Sequence, residues 1–283
     1  MIGEVQISGG EPFEHPDLVE MVEYCKSREL SVTVYTSGVV HDIPHADYKD
    51  MTEEQRMRAM LFGLRGQHAH LDPQVLERLK EVGLDKIVFD LPAEDEQQYE
   101  QLMGTDNGIS KVLRSMIYAS GTGWANIDTE IHFVPTKINY QGFEDVVFLA
   151  EQHQWKNIKQ ISVLRFVPQG RGEKNRKELL LSDEELAWFI QDVQRIKSEY
   201  KVPIRLGIPL SPDKQHECTA GNDKFLVGAN GLIYPCPAFK CIDSKILEDQ
   251  GIAIGHINSI DELQINERRH KTPLCDAIHS MSL

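Results

Sequence analysis

The sequence predicts an α/β fold built on a parallel sheet. Short strand-like stretches alternate with helical ones through about two hundred residues, an order that favours a parallel sheet over segregated α and β regions. The 283 residues suffice for one barrel-sized domain or two ordinary ones. No fixed-period repeat of the solenoid kind runs through them. No GxGxxG follows the first strand, as a dinucleotide-binding sheet would require.

The first strand is carried by Val5 and Ile7, with Ile2 before them, and it runs into Ser8-Gly9-Gly10-Glu11-Pro12. Paired glycines permit positive φ and let a ligand approach bare backbone amides. Glu11 adds a carboxylate beside the rigid Pro12, which stops the strand. Such a turn suits a small ligand bearing an ammonium group. A helix is expected from His15 to Leu30, with Pro16 at its favoured first position and Leu18, Met21, Val22 and Cys25 on its buried face. Ser31 to Tyr35 is the next strand, ending in Thr36-Ser37-Gly38. From Val39 to Leu71 the rhythm breaks. Thr52 to Gln55 fits a capping box ahead of an apolar face of Met57, Met60, Leu61 and Leu64, so a helical insertion is expected there, placed to cover the strand ends. His41, His45, His68 and His70 around it match no standard zinc spacing and read as solvated loop residues.

Asp72 to Val82 forms a helix closed by Gly83, and Lys86 to Leu91 the following strand, with Asp90 near its end. Helices over Glu94 to Met103 and Ser110 to Ser120, a strand over Asp128 to Pro135 and a helix over Tyr140 to His153 follow. Gln160 to Val167 is the last clear strand of this series and carries Arg165. A buried basic group there needs an acidic partner, as a structural ion pair or as a carboxylate clamp. Ser182 to Glu185 is a second capping box, opening a helix to Tyr200, and Pro203 to Leu206 a short strand. Beyond Cys218 the texture changes. Lys224 to Val227 and Gly231 to Tyr234 flank an Asn-Gly turn and read as a hairpin, bringing Cys218 and Cys236 towards each other with Cys241 close behind. Thiolates gathered this way suit a metal or an iron–sulfur cluster, whereas Cys25 reads as a core residue.

The net charge of −14, from 44 acidic against 30 basic residues, argues against general nucleic-acid binding. No apolar run is long enough to span a bilayer and no signal-peptide pattern opens the chain, so a cytoplasmic protein is expected, with no membrane partner. Five cysteines without an export signal do not suggest a disulfide framework.

The string SGGEP after a strand resembles the second strand of the radical S-adenosylmethionine (SAM) enzymes. The resemblance implies a partial (β/α)6 TIM-like barrel over residues 1–210, here without its first strand and cluster loop. It implies SAM held at Gly9, Gly10, Glu11 and Pro12, with Thr36, Ser37, Asp90, Asn139 and Arg165 as further contacts. For Asp90 three roles stay open: facing SAM, facing substrate, or capping the next segment. The pattern C-x12-G-x4-C from Cys218 through Gly231 to Cys236 resembles the opening of the SPASM domain, which implies an auxiliary-cluster extension over 211–283. Cys218, Cys236, Cys241 and Cys275 would hold one auxiliary [4Fe-4S] cluster. The family's CxxxCxxC, which binds the catalytic cluster, occurs nowhere in this sequence. The expected function is radical modification of a peptide or small-molecule substrate, with a reductant protein as partner and a chain inactive alone. The alternative is a non-catalytic or partner-dependent barrel that binds substrate or another subunit.

Overall fold

The computed structural model describes residues 3–41, 68–105, 107–151, 157–207, 210, 220–221, 224–239 and 255–262. The chain divides into two units, Met1–Leu164 with Leu181–Gly207, and Arg165–Leu180 with Ile208–Leu283.

The first unit holds a six-stranded sheet. Its strands are β1 (Glu4–Ile7), β2 (Ser31–Thr36), β5 (Lys86–Asp90), β6 (Asp128–Phe133), β7 (Ile158–Val163) and β8 (Ile204–Leu206), in that spatial order. Every neighbouring pair is parallel. The helices are α1 (Leu18–Ser27), α2 (Pro73–Glu81), α3 (Glu96–Met103), α4 (Gly108–Ser120), α5 (Phe143–Ala150) and α6 (Asp183–Glu199). Between β2 and α2 stands a two-stranded ribbon of β3 (Val39–His41) and β4 (His68–His70). The expected insertion helix, with His45, falls on residues outside those described.

Side chains on a strand alternate between faces, so the register sorts the sheet into two surfaces. On one face Val32, Val34, Ile87, Phe89, Ile131, Phe133, Ile161 and Val163 are all buried. Phe133 meets Phe143 of α5 and Phe189 of α6 at ring separations of 4.8 and 6.2 Å, which pins both helices to this face. The other face carries Tyr35, Lys86, Asp90, Glu130, His132, Gln160, Ser162 and Arg205, with the buried Val88 between Tyr35 and Glu130. A parallel sheet covered on both sides reads as continuous apolar runs; here the alternation leaves one side polar.

The helix ends obey local chemistry. Asp72 accepts from the Gln74 amide at 2.8 Å to start α2. Ser182 Oγ accepts from the Glu185 amide while the Glu185 carboxylate accepts from the Ser182 amide, which is the reciprocal pair the sequence forecasts for α6. Ser182→Ala is expected to destabilise the protein by about 1 kcal/mol, readable by chemical denaturation. Several boundaries differ from the sequence reading, two of them at residues singled out there. Helix α1 starts at Leu18, because residues 12–14 first make a separate 3-10 turn, so Pro16 lies ahead of the cap residue Asp17. Strand β7 ends at Val163, which leaves Arg165 beyond it rather than inside it.

Gly38, in the left-handed region at φ 74°, links β2 to the ribbon. A Cβ there would lie 2.7 Å from Val112 and 3.0 Å from Phe89, so the packing of α4 and β5 requires glycine. The buried Ser115 hydroxyl on α4 donates to the Gly38 carbonyl at 2.6 Å and accepts from the Leu71 amide at 2.8 Å. One hydroxyl thereby ties down both feet of the ribbon.

In the second unit β9 (Leu226–Val227), β10 (Leu232–Tyr234) and β11 (Gly255–His256) form an antiparallel sheet in the order β11-β10-β9. The β9–β10 turn is the expected hairpin, closed by the Gly228 amide on the Leu232 carbonyl at 2.8 Å, with Gly231 at φ 80°. Among the described residues no helix is long and apolar enough to cross a membrane.

Candidate functional site

The turn after β1 is built around Glu11. Its carboxylate accepts from Thr36 Oγ1 at 2.7 Å, from the Ser37 amide at 2.9 Å, from Ser37 Oγ at 2.7 Å and from the Phe13 amide at 3.2 Å. Three residues singled out separately in the sequence, Glu11, Thr36 and Ser37, are thus joined at the C-terminal ends of β1 and β2. These bonds favour the carboxylate, yet burial outweighs them and raises its pKa above the ordinary 4.5. The charge is well hydrogen-bonded and, among the described residues, sits beside no cation. Pro12 is buried beneath the turn, and around Gly9 no heavy atom of the described residues comes within 4 Å of where a Cβ would stand. Two residues on, the Glu14 carboxylate accepts from the His41 amide at 3.0 Å and pairs with the His41 ring, linking the turn to β3.

Asp90 ends β5 and faces His132 in register. Burial raises its pKa, with His132 opposing. Asn139 is buried beyond β6 and fully used: its oxygen accepts from the Thr136 amide and hydroxyl at 2.6 and 2.9 Å, and its nitrogen donates to the Pro92 and Val134 carbonyls at 2.7 and 3.1 Å. All four hydrogen-bonding positions of that amide therefore serve to clamp two loops together. Arg165 falls in the second unit. There too stands Cys236, half-buried two residues after β10, while Cys218, Cys241 and Cys275 lie outside the described residues. Among the described residues no group of three His, Cys, Asp or Glu side chains could hold a metal ion. Cys25 is half-buried on α1.

A second polar centre, not picked out from the sequence, lies on the polar face. Glu130 accepts from Lys86 Nζ at 3.1 Å, from Gln160 Nε2 at 3.2 Å and from Ser162 Oγ, and His132 Nε2 lies 3.3 Å away. Burial opposes its charge, but donors from His132, Ser162 and Lys86 outweigh that and hold the carboxyl far below the ordinary range. The Tyr35 ring meets the His132 ring edge-on at 5.4 Å, and burial together with Glu130 and Glu4 pushes its phenol up to about 12. The signal for this centre was the alternation itself, since DTEIHF places a polar residue at every second position and KIVFD has polar residues at both ends of the same face, with Val88 between them.

No family model matches the chain. The PqqA peptide cyclase of Gluconobacter oxydans is 24% identical over 266 residues, which is 92% of this chain and 64% of that protein. The PqqA peptide cyclase of Granulibacter bethesdensis is 23% identical over 202 residues, 70% of this chain and 43% of that protein. The chain therefore spans less than two thirds of the length of either relative. Among solved structures, Streptococcus suis SuiB bound to the precursor peptide SuiA superposes with a TM-score of 0.59 at 19% identity, covering 85% of this chain and 50% of SuiB. SuiB without that peptide gives 0.57 at 16% identity, covering 85% and 51%. The radical SAM resemblance read from SGGEP stands with these relatives.

Proposed function

We propose that this chain contributes the cofactor turn and the substrate-facing sheet of a radical SAM protein that modifies a peptide. The observation that carries the reading is the Glu11 turn: a buried carboxylate with raised pKa and, among the described residues, no cation beside it, at the C-terminal end of a parallel sheet. That chemistry fits SAM, whose ammonium and sulfonium groups would offset the uncompensated charge. Backbone at Gly9 and Gly10 and the groups of Thr36, Ser37 and Asp90 would hold it, while Glu11 fixes the turn. When bound, SAM supplies hydrogen-abstraction chemistry. The peptide class rests on the cyclase relatives and on SuiB, solved with its precursor peptide. In this reading the sheet is a partial barrel and its polar face receives the substrate. A SPASM-like extension completes the protein, with Cys236 as one ligand of an auxiliary [4Fe-4S] cluster beside Cys218, Cys241 and Cys275. The catalytic cluster is held by cysteines outside this sequence, which has no CxxxCxxC.

The test is anaerobic reconstitution with iron, sulfide and SAM. The expected result is SAM binding by calorimetry, about one [4Fe-4S] cluster by iron analysis and no 5′-deoxyadenosine from this chain alone. Cys236→Ala should abolish the cluster and Cys25→Ala should spare it. Absence of SAM binding would overturn the cofactor reading. Steady production of 5′-deoxyadenosine would overturn the assignment of the catalytic cluster to cysteines elsewhere.

A further inference from the structure

The Glu130 centre fixes an imidazole ring and leaves one of its nitrogens open. Asp90, His132 and Ser162 stand in register on β5, β6 and β7, close to where those strands end. The strands are parallel, so this is the end of the sheet at which the Glu11 turn lies. Ligands of parallel α/β sheets bind beyond the carboxyl ends of the strands.

His132 Nε2 lies 3.3 Å from Glu130 Oε1. That oxygen also accepts from Gln160 Nε2 at 3.2 Å and from Ser162 Oγ, while Oε2 accepts from Lys86 Nζ at 3.1 Å. Both oxygens thus have donors without the ring, and the carboxylate orients the imidazole rather than depending on it. Held ionised, Glu130 can only accept, so the nitrogen facing it carries the proton. A neutral imidazole has one such proton, which makes Nδ1 the bare nitrogen. Nδ1 takes no hydrogen bond from any described residue. Nor is it enclosed: the enclosed side-chain atoms without a partner among the described residues are Tyr99 Oη, Gln169 Oε1 and Glu173 Oε2. The His132 side chain is 15% exposed, and the Tyr35 ring, edge-on at 5.4 Å, limits its swing. A proton taken up at Nδ1 would make an imidazolium that the Glu130 carboxylate stabilises through Nε2–H, which is how a general base is built.

We propose that His132 is a proton acceptor of the polar face: its open Nδ1 takes a proton from an O–H or N–H group of a molecule bound there, with Glu130 as the positioning residue. The donor's bond to hydrogen breaks, its electron pair stays on the oxygen or nitrogen, and a new N–H bond forms at Nδ1. That the donor belongs to a peptide rests on the reading above; the dyad does not.

The test uses the full chain without SAM or peptide, so its outcome is separate from the cofactor and peptide readings. At a pH where the ring is neutral, 15N NMR of histidine-labelled protein should show His132 protonated at Nε2 and bare at Nδ1. The preference should be about tenfold, the value of one hydrogen bond to a charged group. It should fall in Glu130→Gln, whose amide can donate as well as accept. Diethyl pyrocarbonate, which acylates a bare imidazole nitrogen, probes openness. Nδ1 attacks a carbonyl carbon, ethyl carbonate leaves, and with the proton released from Nε2 it breaks down to carbon dioxide and ethanol. The tryptic peptide 115–137 holds His132 as its one histidine, and mass spectrometry should find it acylated in the native protein. His132→Phe keeps a ring against Tyr35 and removes both nitrogens. Its urea midpoint should match that of wild type, whereas Ser162→Ala should lower the midpoint. A ring protonated at Nδ1, a His132 acylated only after unfolding, or a midpoint in His132→Phe as low as in Ser162→Ala would each overturn the proposal.

Discussion

Glu130→Ala is expected to destabilise the protein by about 1–3 kcal/mol, the usual cost of leaving buried donors without their acceptor. Glu130 is 6% exposed and gathers donors from three strands, so its loss leaves Ser162 and Gln160 without their acceptor, while the Lys86 side chain, 39% exposed, can turn to water. Urea denaturation at pH 7 reads the loss directly. The pH dependence gives a second signature with a fixed sign. The carboxyl titrates in the folded state below its ordinary 4.5, so its contribution is complete above that value. It fades as pH falls from there towards the folded value. The gap between wild type and Glu130→Ala should therefore narrow on acidification from pH 5 to pH 3. A gap that stays constant would mean that the effect comes from lost packing rather than from charge.

Glu11→Ala is expected to weaken SAM binding by about a hundredfold or more. The carboxylate ties the end of β2 to the turn after β1 through Thr36 and Ser37, so alanine removes the charge and frees the turn together. Bonds to an ionised group contribute about 1.5–3 kcal/mol each, and one alone accounts for roughly a ten- to hundredfold change. Glu11→Gln separates the two effects. The amide keeps an oxygen for Thr36 but turns a donor towards the Ser37 amide, which cannot reverse its own polarity. A calorimetric Kd for Glu11→Gln between those of wild type and alanine fits this account. Equal affinity in all three would remove Glu11 from the site.

Much of the first unit was legible because its signals are local. Capping chemistry at Ser182, the glycine at position 83 and the β-branched strands each act within a few residues, and the structure follows them. The SGGEP turn was legible as a motif, and its partners Thr36 and Ser37 through the next strand's ending. What stayed hidden depends on register. Glu130 and Lys86 are ordinary strand residues until the pairing of β5 with β6 puts them on one face. The buried clamp that Asn139 makes between two loops likewise leaves no trace in spacing. Arg165 was assigned to a strand that stops two residues earlier, since an apolar run does not record where pairing ends.

The Ser115 hydroxyl that grips both feet of the β3–β4 ribbon makes the stretch between them a natural splice port. Its ends are held in antiparallel register, Val39 against His70 and His41 against His68, so the entropy of bringing them together is met by the ribbon. Each doubling of a loop closed in this way adds only about 0.6 kcal/mol. A domain inserted between His41 and His68 therefore adds little closure entropy, and an engineer can seat a reporter there on those terms.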